Sequence, residues 1–166
     1  LEQTNIRFDT ALENMTHGLC MFDNAKHLVV CNRQYANLYQ LPPALQKVGT
    51  PHEAIITHRI MNGILKGGSN ANAVEKKLDA LSQLPLDEPS ARIDELADGR
   101  LIRVVRQPME GGGWVATHED ITSQKRTEMQ IIHMARHDIL TGLANRAVLL
   151  EKVKEALARN RRNGEV

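Results

Sequence analysis

Three strand-like runs follow one another between residues 91 and 121, and no other feature limits the fold as much: Ala91 to Ala97, Arg100 to Gln107 and Trp114 to Ile121. Asp98-Gly99 joins the first pair as a tight hairpin, because glycine supplies the positive φ that such a turn needs. Gly111 to Gly113 joins the second pair more loosely. Another hairpin signal lies near the start of the chain, where the apolar runs Leu19 to Phe22 and His27 to Cys31 flank the turn formers Asp23 and Asn24.

Helical patterns fill the interval between the hairpins. Asn32 stands just before RQYANLYQL, placed to accept the free amide hydrogens of a helix start, and Tyr35, Leu38 and Tyr39 fall on one apolar face. Pro42 and Pro43 stop this helix. From Thr50 to Leu65 the pattern is helical again, with Pro51 in the first turn and Ile55, Ile56, Ile60, Ile64 and Leu65 apolar, until KGGSN ends it. A further helix is expected over Asn72 to Leu84, with Val74, Leu78 and Leu81 on one face, before the breaker-rich PLDEPS.

Two more helices flank the strands. Ile6, Ala11, Leu12 and Met15 sit near helical spacing and Gly18 closes the pattern, which predicts an amphipathic N-terminal helix within residues 1–17. After the last strand, Thr122 to Arg136 is strongly helical, with Met129, Ile132 and Ala135 on a stripe like a short coiled-coil seam. The order as a whole predicts an α+β domain over residues 18–121, a five-stranded antiparallel sheet with helices on one face.

Composition narrows the function classes. The 166 residues suffice for one domain of ordinary size plus an appendage. The 21 basic and 20 acidic residues nearly cancel, so the broad positive field that draws proteins to nucleic acid is missing, and the basic ARNRR near the end reads as a solvated helix face. No run reaches the roughly 18 apolar residues of a membrane span, and no membrane contact is expected. Cys20 and Cys31 lie in apolar strands without metal-ligand spacing and read as buried free thiols of a reducing compartment. With no apolar leader in LEQTNIRFDTALENM, a cytoplasmic location is expected.

The strand order, with CNRQY after the second strand and HEDIT closing the fifth, resembles the PAS domain, a family of small sensory modules, over Phe8 to Thr122. In that family the fifth strand commonly ends in an Asp-Ile-Thr triplet, matched by Asp120, Ile121 and Thr122, and leads into a helix that carries the signal onward. The resemblance implies a PAS fold with 122–136 as signalling helix, transmission through Asp120, Ile121, Thr122, Met129 and Ile132, and a homodimer.

HDILTGLANR, residues 137 to 146, resembles the start of GGDEF domains, the diguanylate cyclases that make cyclic di-GMP from two GTP; Asp138, Leu140, Thr141, Gly142, Leu143, Asn145 and Arg146 sit at the family's spacing. Residues 137–166 then read as the truncated beginning of such a domain. The family's metal-binding aspartate, guanine-binding residues and Gly-Gly-Asp/Glu-Glu-Phe hairpin do not appear, and the GGG at 111 to 113 precedes the motif and is a turn. Phosphodiester formation from GTP needs divalent metals held by carboxylates. After Asp138 only Glu151, Glu155 and Glu165 remain, on surface-type helix or beyond it, so no catalysis is expected of this chain.

PAS domains that bind small molecules do so between the inner sheet face and the helices. Trp114, Ala116 and His118 alternate onto one face of the last strand, where they either line a pocket with Tyr35, Ile55 and Met61 for an unknown small molecule or belong to a filled core. In haem-binding relatives one helix histidine is the axial ligand, and His58, beside Met61, is a better match than His52; the alternative is a polar residue at the edge of the core. Flavin is disfavoured, because the photosensory relatives place cysteine inside Asn-Cys-Arg-Phe-Leu-Gln, whereas here Cys31 precedes Asn32. Arg103 and Arg106 either meet a carboxylate ligand or pair with Asp94, Glu95 or Asp120 across the sheet. Three functions follow: a sensor and dimerisation module controlling a diguanylate cyclase, a ligand-free structural dimerisation domain, or an active cyclase fragment, which the missing carboxylates oppose.

Overall fold

The computed structural model describes residues 11–83, 87–136, 145, 148–150 and 153–155. In chain order the elements are β1 (Gly18–Phe22), β2 (Leu28–Cys31), α1 (Arg33–Leu38), a 3-10 turn (Pro43–Gln46), α2 (His52–Met61), α3 (Ala71–Ser82), β3 (Ser90–Glu95), β4 (Leu101–Pro108), β5 (Trp114–Asp120) and α4 (Thr122–Arg136). The strands form one antiparallel sheet in the order β2-β1-β5-β4-β3. The expected PAS fold of the α+β class is therefore present. β5 inserts between the two hairpins, so the first and last strands of the sheet lie side by side at its centre.

Alternation along the strands selects the inner face. Trp114, Ala116 and His118 of β5 are buried, as are Ile102, Val104 and Arg106 of β4, while the residues between them are partly exposed. Helices α1 and α2 bring Tyr35, Ala36, Tyr39, Ile55, Ile56 and Ile60 onto that face, and α3 adds Val74, Leu78 and Leu81 at its margin. Helix α1 comes unusually close to the sheet because β1 begins with glycine. A Cβ on Gly18 would stand 3.0 Å from the Tyr35 Cα and 3.3 Å from the His118 Cβ.

Asn32 fastens the start of α1. Its Oδ1 accepts from the Tyr35 amide at 3.0 Å and the Leu19 amide at 2.8 Å, while its Nδ2 donates to the carbonyls of Leu12 and His17. One buried side chain thus caps a helix, extends the β1–β2 pairing and holds the segment that precedes β1.

Several boundaries differ from the sequence reading. The described part of the N-terminal helix covers only 11–13, with Leu12 buried; Met15 falls outside it, and residues 1–10 lie outside the described residues. Helix α2 starts after Pro51, which is its cap and not part of its first turn, and stops at Met61, where Asn62 and the positive φ of Gly63 turn the chain. Ile64 and Leu65 are buried as expected, though in an extended segment, with Leu65 bridged to Leu96. Helix α3 is capped by Asn70 and ends at Ser82; Leu84 lies outside the described residues.

The chain divides into two compact units, residues 1–122 and 123–166. In the second unit, Asn145 closes α4: its amide donates to the Arg136 carbonyl at 2.9 Å and its side-chain amide to the Ala135 carbonyl at 2.5 Å. The same side chain accepts from the Val148 amide, capping the helical segment that begins there. Of HDILTGLANR only Asn145 is described. Among the described residues no helix is long and apolar enough to cross a membrane.

Candidate ligand site

The register of the sheet assembles a polar row inside an apolar face. Cys20 pairs with Ala116, which pairs with Arg106; Gly18 pairs with His118, which pairs with Val104 and then Arg92. Over this row α1 and its C-cap suspend Tyr35 and Tyr39, whose rings lie 5.3 Å apart. Helix α2 adds Arg59, which is 2 % exposed.

The contacts are dense. Arg59 Nη2 donates to the Tyr35 hydroxyl, and the guanidinium carbon lies 3.4 Å from the centre of the Tyr39 ring. The Tyr39 hydroxyl is 2.7 Å from His118 Nδ1, and His118 Nε2 is 3.6 Å from Cys20 Sγ. Trp114 stacks on Phe22, with centroids 5.1 Å apart, and carries the Arg106 guanidinium 4.5 Å above its ring centre.

Positive charge outweighs negative in this cluster, where Asp94 is the carboxylate whose charge acts on Arg59. Burial raises the Cys20 thiol and the Tyr39 hydroxyl to about 12 and the Tyr35 hydroxyl well above 10, so all three are neutral at pH 7. Burial, with help from Arg59 and Arg92, holds His118 well below its ordinary value, and the same causes bring His52 to about 3. Asp94 is kept ionised against the cost of its burial by Arg92 at 3.2 Å and Lys77 at 2.9 Å. Among the described residues, Arg59 makes no carboxylate contact and its buried Nε has no acceptor. The Tyr35 and Tyr39 rings and the charge of Asp94 favour this guanidinium against the cost of its burial, and an anion placed at its open Nε would add a charge-assisted hydrogen bond.

A small cavity opens among these groups. Its free volume is about 20 Å³, bounded by Arg59, Arg106, Tyr35, Trp114 and His118 among others; that is room for about one water molecule. Beyond it, a recess of about 360 Å³ between α2, α3 and the β4–β5 end shares His52, Leu81, Arg106 and Trp114 with the inner cavity. Those four side chains form the wall between the two spaces.

The structure divides the residues singled out from the sequence. Tyr35, Trp114 and His118 converge on the cavity. Ile55 is fully buried as core and does not line it. Met61 is 51 % exposed and borders a shallow groove between α2 and α3. His58 turns outward: its Nε2 lies 3.0 Å from the Gln40 carbonyl and its Nδ1 3.1 Å from Asn62 Nδ2, so it is not placed as an axial haem ligand, and His52, the alternative, lines the cavity together with His118. Arg103 does pair across the sheet, with Glu119 at 3.2 Å and not with the three carboxylates expected. The two cysteines are free and stand opposite each other on β1 and β2, Cys20 buried and Cys31 partly so. Arg59 and Arg92 were missed, since charge in an amphipathic pattern ordinarily marks the solvent side; the available signal was a basic residue between Ile56 and Ile60 on the face of α2 that carries Ile55.

Thr122 secures the exit from β5. Its Oγ1 accepts from the Leu101 amide at 2.9 Å, its amide donates to Asp120 Oδ1 at 3.0 Å, and between them the Ile121 amide donates to the Leu101 carbonyl, with Ile121 fully buried. Asp120 and Thr122 therefore join the last strand to the first residue of α4. Met129, Ile131, Ile132 and Met134 of α4 are all exposed.

A five-stranded antiparallel sheet in the order β2-β1-β5-β4-β3, with helices over one face and a partly polar cavity beneath them, is the architecture of a PAS fold. The PAS fold family matches residues 12–129, and the chain belongs to that family of signalling sensors. It is 27% identical over 152 residues to the non-motile and phage-resistance protein of Caulobacter vibrioides, a match that covers 92% of this chain and 16% of that protein. The chain thus spans about a sixth of that relative's length. Among solved structures, the PAS domain of Bordetella pertussis BvgS superposes with a TM-score of 0.53 at 10% identity, covering 81% of this chain and 98% of that one. The PAS domain of an HTR-like protein from Haloarcula marismortui gives 0.46 at 20% identity, covering 73% of this chain and all of that one.

Proposed function

We propose that the chain is the sensor and dimerisation module of a diguanylate cyclase and controls cyclic di-GMP synthesis through α4. One observation carries this reading: β5 holds both the cavity residues Trp114, Ala116 and His118 and, directly after them, the Asp120–Thr122 junction from which α4 starts. A change at the cavity reaches α4 along one strand. HDILTGLANR supports a cyclase as the output, and no cyclase activity is proposed for this chain by itself.

Two cyclase domains must face one another to join two GTP, so dimer geometry is a sufficient control variable. The exposed apolar side chains of α4 support a homodimer. At 100° per residue, Met129 and Ile132 share one flank of the helix, and Ile131 and Met134 share the other. The apolar surface is thus broader than the stripe the spacing alone picks out. The small volume of the inner cavity favours, as a second reading, a structural dimerisation domain that senses nothing.

The test is cyclic di-GMP formation by the full-length protein with and without Met129→Glu and Ile132→Glu, alongside light-scattering mass of this chain. We expect a dimer that becomes a monomer, and synthesis that drops at least tenfold. Unchanged mass and unchanged synthesis would discard the reading.

A further inference from the structure

We propose that the cavity under α2 recognises a small carboxylate bearing a planar apolar group, with Arg59 at its carboxylate end. The inference deepens the sensory reading by naming its ligand class, and rests on that reading only for its consequence.

Three observations converge. Arg59 is buried, meets no carboxylate among the described residues, donates one hydrogen bond to the neutral Tyr35 hydroxyl and leaves its Nε without an acceptor. A guanidinium is a planar fork whose geometry matches a carboxylate, and an anion placed there satisfies it directly. The second observation is the charge balance: Asp94, whose charge acts on Arg59, is already in contact with Arg92 and Lys77, so Arg59 lines the cavity without a contacting carboxylate among the described residues.

The third is the character of the remaining wall. Phe22, Trp114 and Ala116 on the sheet and Leu81 on α3 supply apolar and aromatic surface around the cationic end, the usual composition of a small-molecule site with a few orienting polar groups. Inorganic phosphate, doubly charged and strongly hydrated, has no use for such a wall. The carboxylate replaces the water-sized volume beside Arg59, and the apolar group occupies the side of the outer recess formed by Pro51, Leu78, Leu81 and Trp114, a recess that the charged Lys26, Glu53 and Asp79 also line, once the shared side chains Trp114, Leu81 and His52 part. Trp114 lies on β5, so a ligand that moves its side chain acts on the strand that leads to α4.

Trp114 is the chain's single tryptophan, which makes it the reporter. Its fluorescence is followed while this chain is titrated with sodium benzoate, with benzyl alcohol and with sodium phosphate at constant ionic strength and pH 7.5. We expect a saturable response to benzoate, at least tenfold weaker responses to the other two, and at least a tenfold loss of benzoate affinity in Arg59→Leu. If Arg59→Leu does not fold, Arg59→Lys, with circular dichroism to verify its fold, keeps the charge, loses the planar fork, weakens benzoate severalfold and decides the matter. No saturable response to benzoate, equal binding of benzyl alcohol or phosphate, or unchanged affinity in the folded variants would overturn the assignment. Binding is read without any output, so its failure leaves the role proposed for α4 standing, and loss of α4 function leaves the binding result standing.

Discussion

The Tyr39 hydroxyl lies 2.7 Å from Nδ1 of His118, inside the core and next to the buried charge of Arg59. An imidazole there stays neutral, because burial and Arg59 both oppose a second positive charge. The folded chain therefore refuses a proton that the unfolded chain accepts below about pH 6.5. Stability contributed by such a group is complete above that pH and is lost as the pH falls through it.

Urea denaturation at pH 7 and pH 5 measures this loss. His118 and His52 are each held below their ordinary range, His52 at about 3, and each is expected to remove up to about 2 kcal/mol between those two pH values. His118→Gln should flatten the dependence by about half. A pH dependence identical in that variant would mean that His118 takes up its proton while folded.

Asn32 is expected to be the most sensitive polar position outside the cavity. Replacing it with alanine removes the cap of α1 and leaves the Leu19 amide and the Leu12 carbonyl without their partner. We expect a loss of about 3 kcal/mol, from a helix cap plus buried groups left unsatisfied. Asn32→Asp, which keeps the acceptor and loses the donors, should fall between the two. Equilibrium unfolding of the three proteins ranks them; equal stability of Asn32→Ala and the parent would refute this role.

The β4–β5 turn separates two glycines that look alike in sequence. Gly113 has φ of 81°, and a Cβ on it would collide with the Phe22 carbonyl oxygen, so Gly113→Ala should cost about 3 kcal/mol or more because backbone must move. Gly111 also has positive φ, with open space around it. Gly111→Ala should cost only about 1 kcal/mol, the penalty of the conformation itself. Melting temperatures of the two variants provide the comparison.

Periodicity and turn chemistry determined most of the architecture. The three hairpins, the cap at Asn32, the limits of α4 to the residue and the buried face of β5 all follow from local rules, because each depends on residues close by in the chain. The residues of the cavity that could be read in advance, Tyr35, Trp114 and His118, were those whose own strand or helix already pointed them inward.

What the tertiary structure decided is the company those residues keep. Arg59 sits in a helix whose pattern accommodates a basic residue on either side, and only the packing of α2 against α1 and β5 shows it buried under Tyr35 and Tyr39. The same packing turned His58 outward and left Met61 at the surface. Strand order had the same standing: the meander and the first hairpin were legible, but the insertion of β5 beside β1, which sets His118 against Cys20 and Gly18, is a pairing across nearly 100 residues. Local patterns determine which face of an element is apolar; which polar group another element sets against that face depends on contacts distant in the chain.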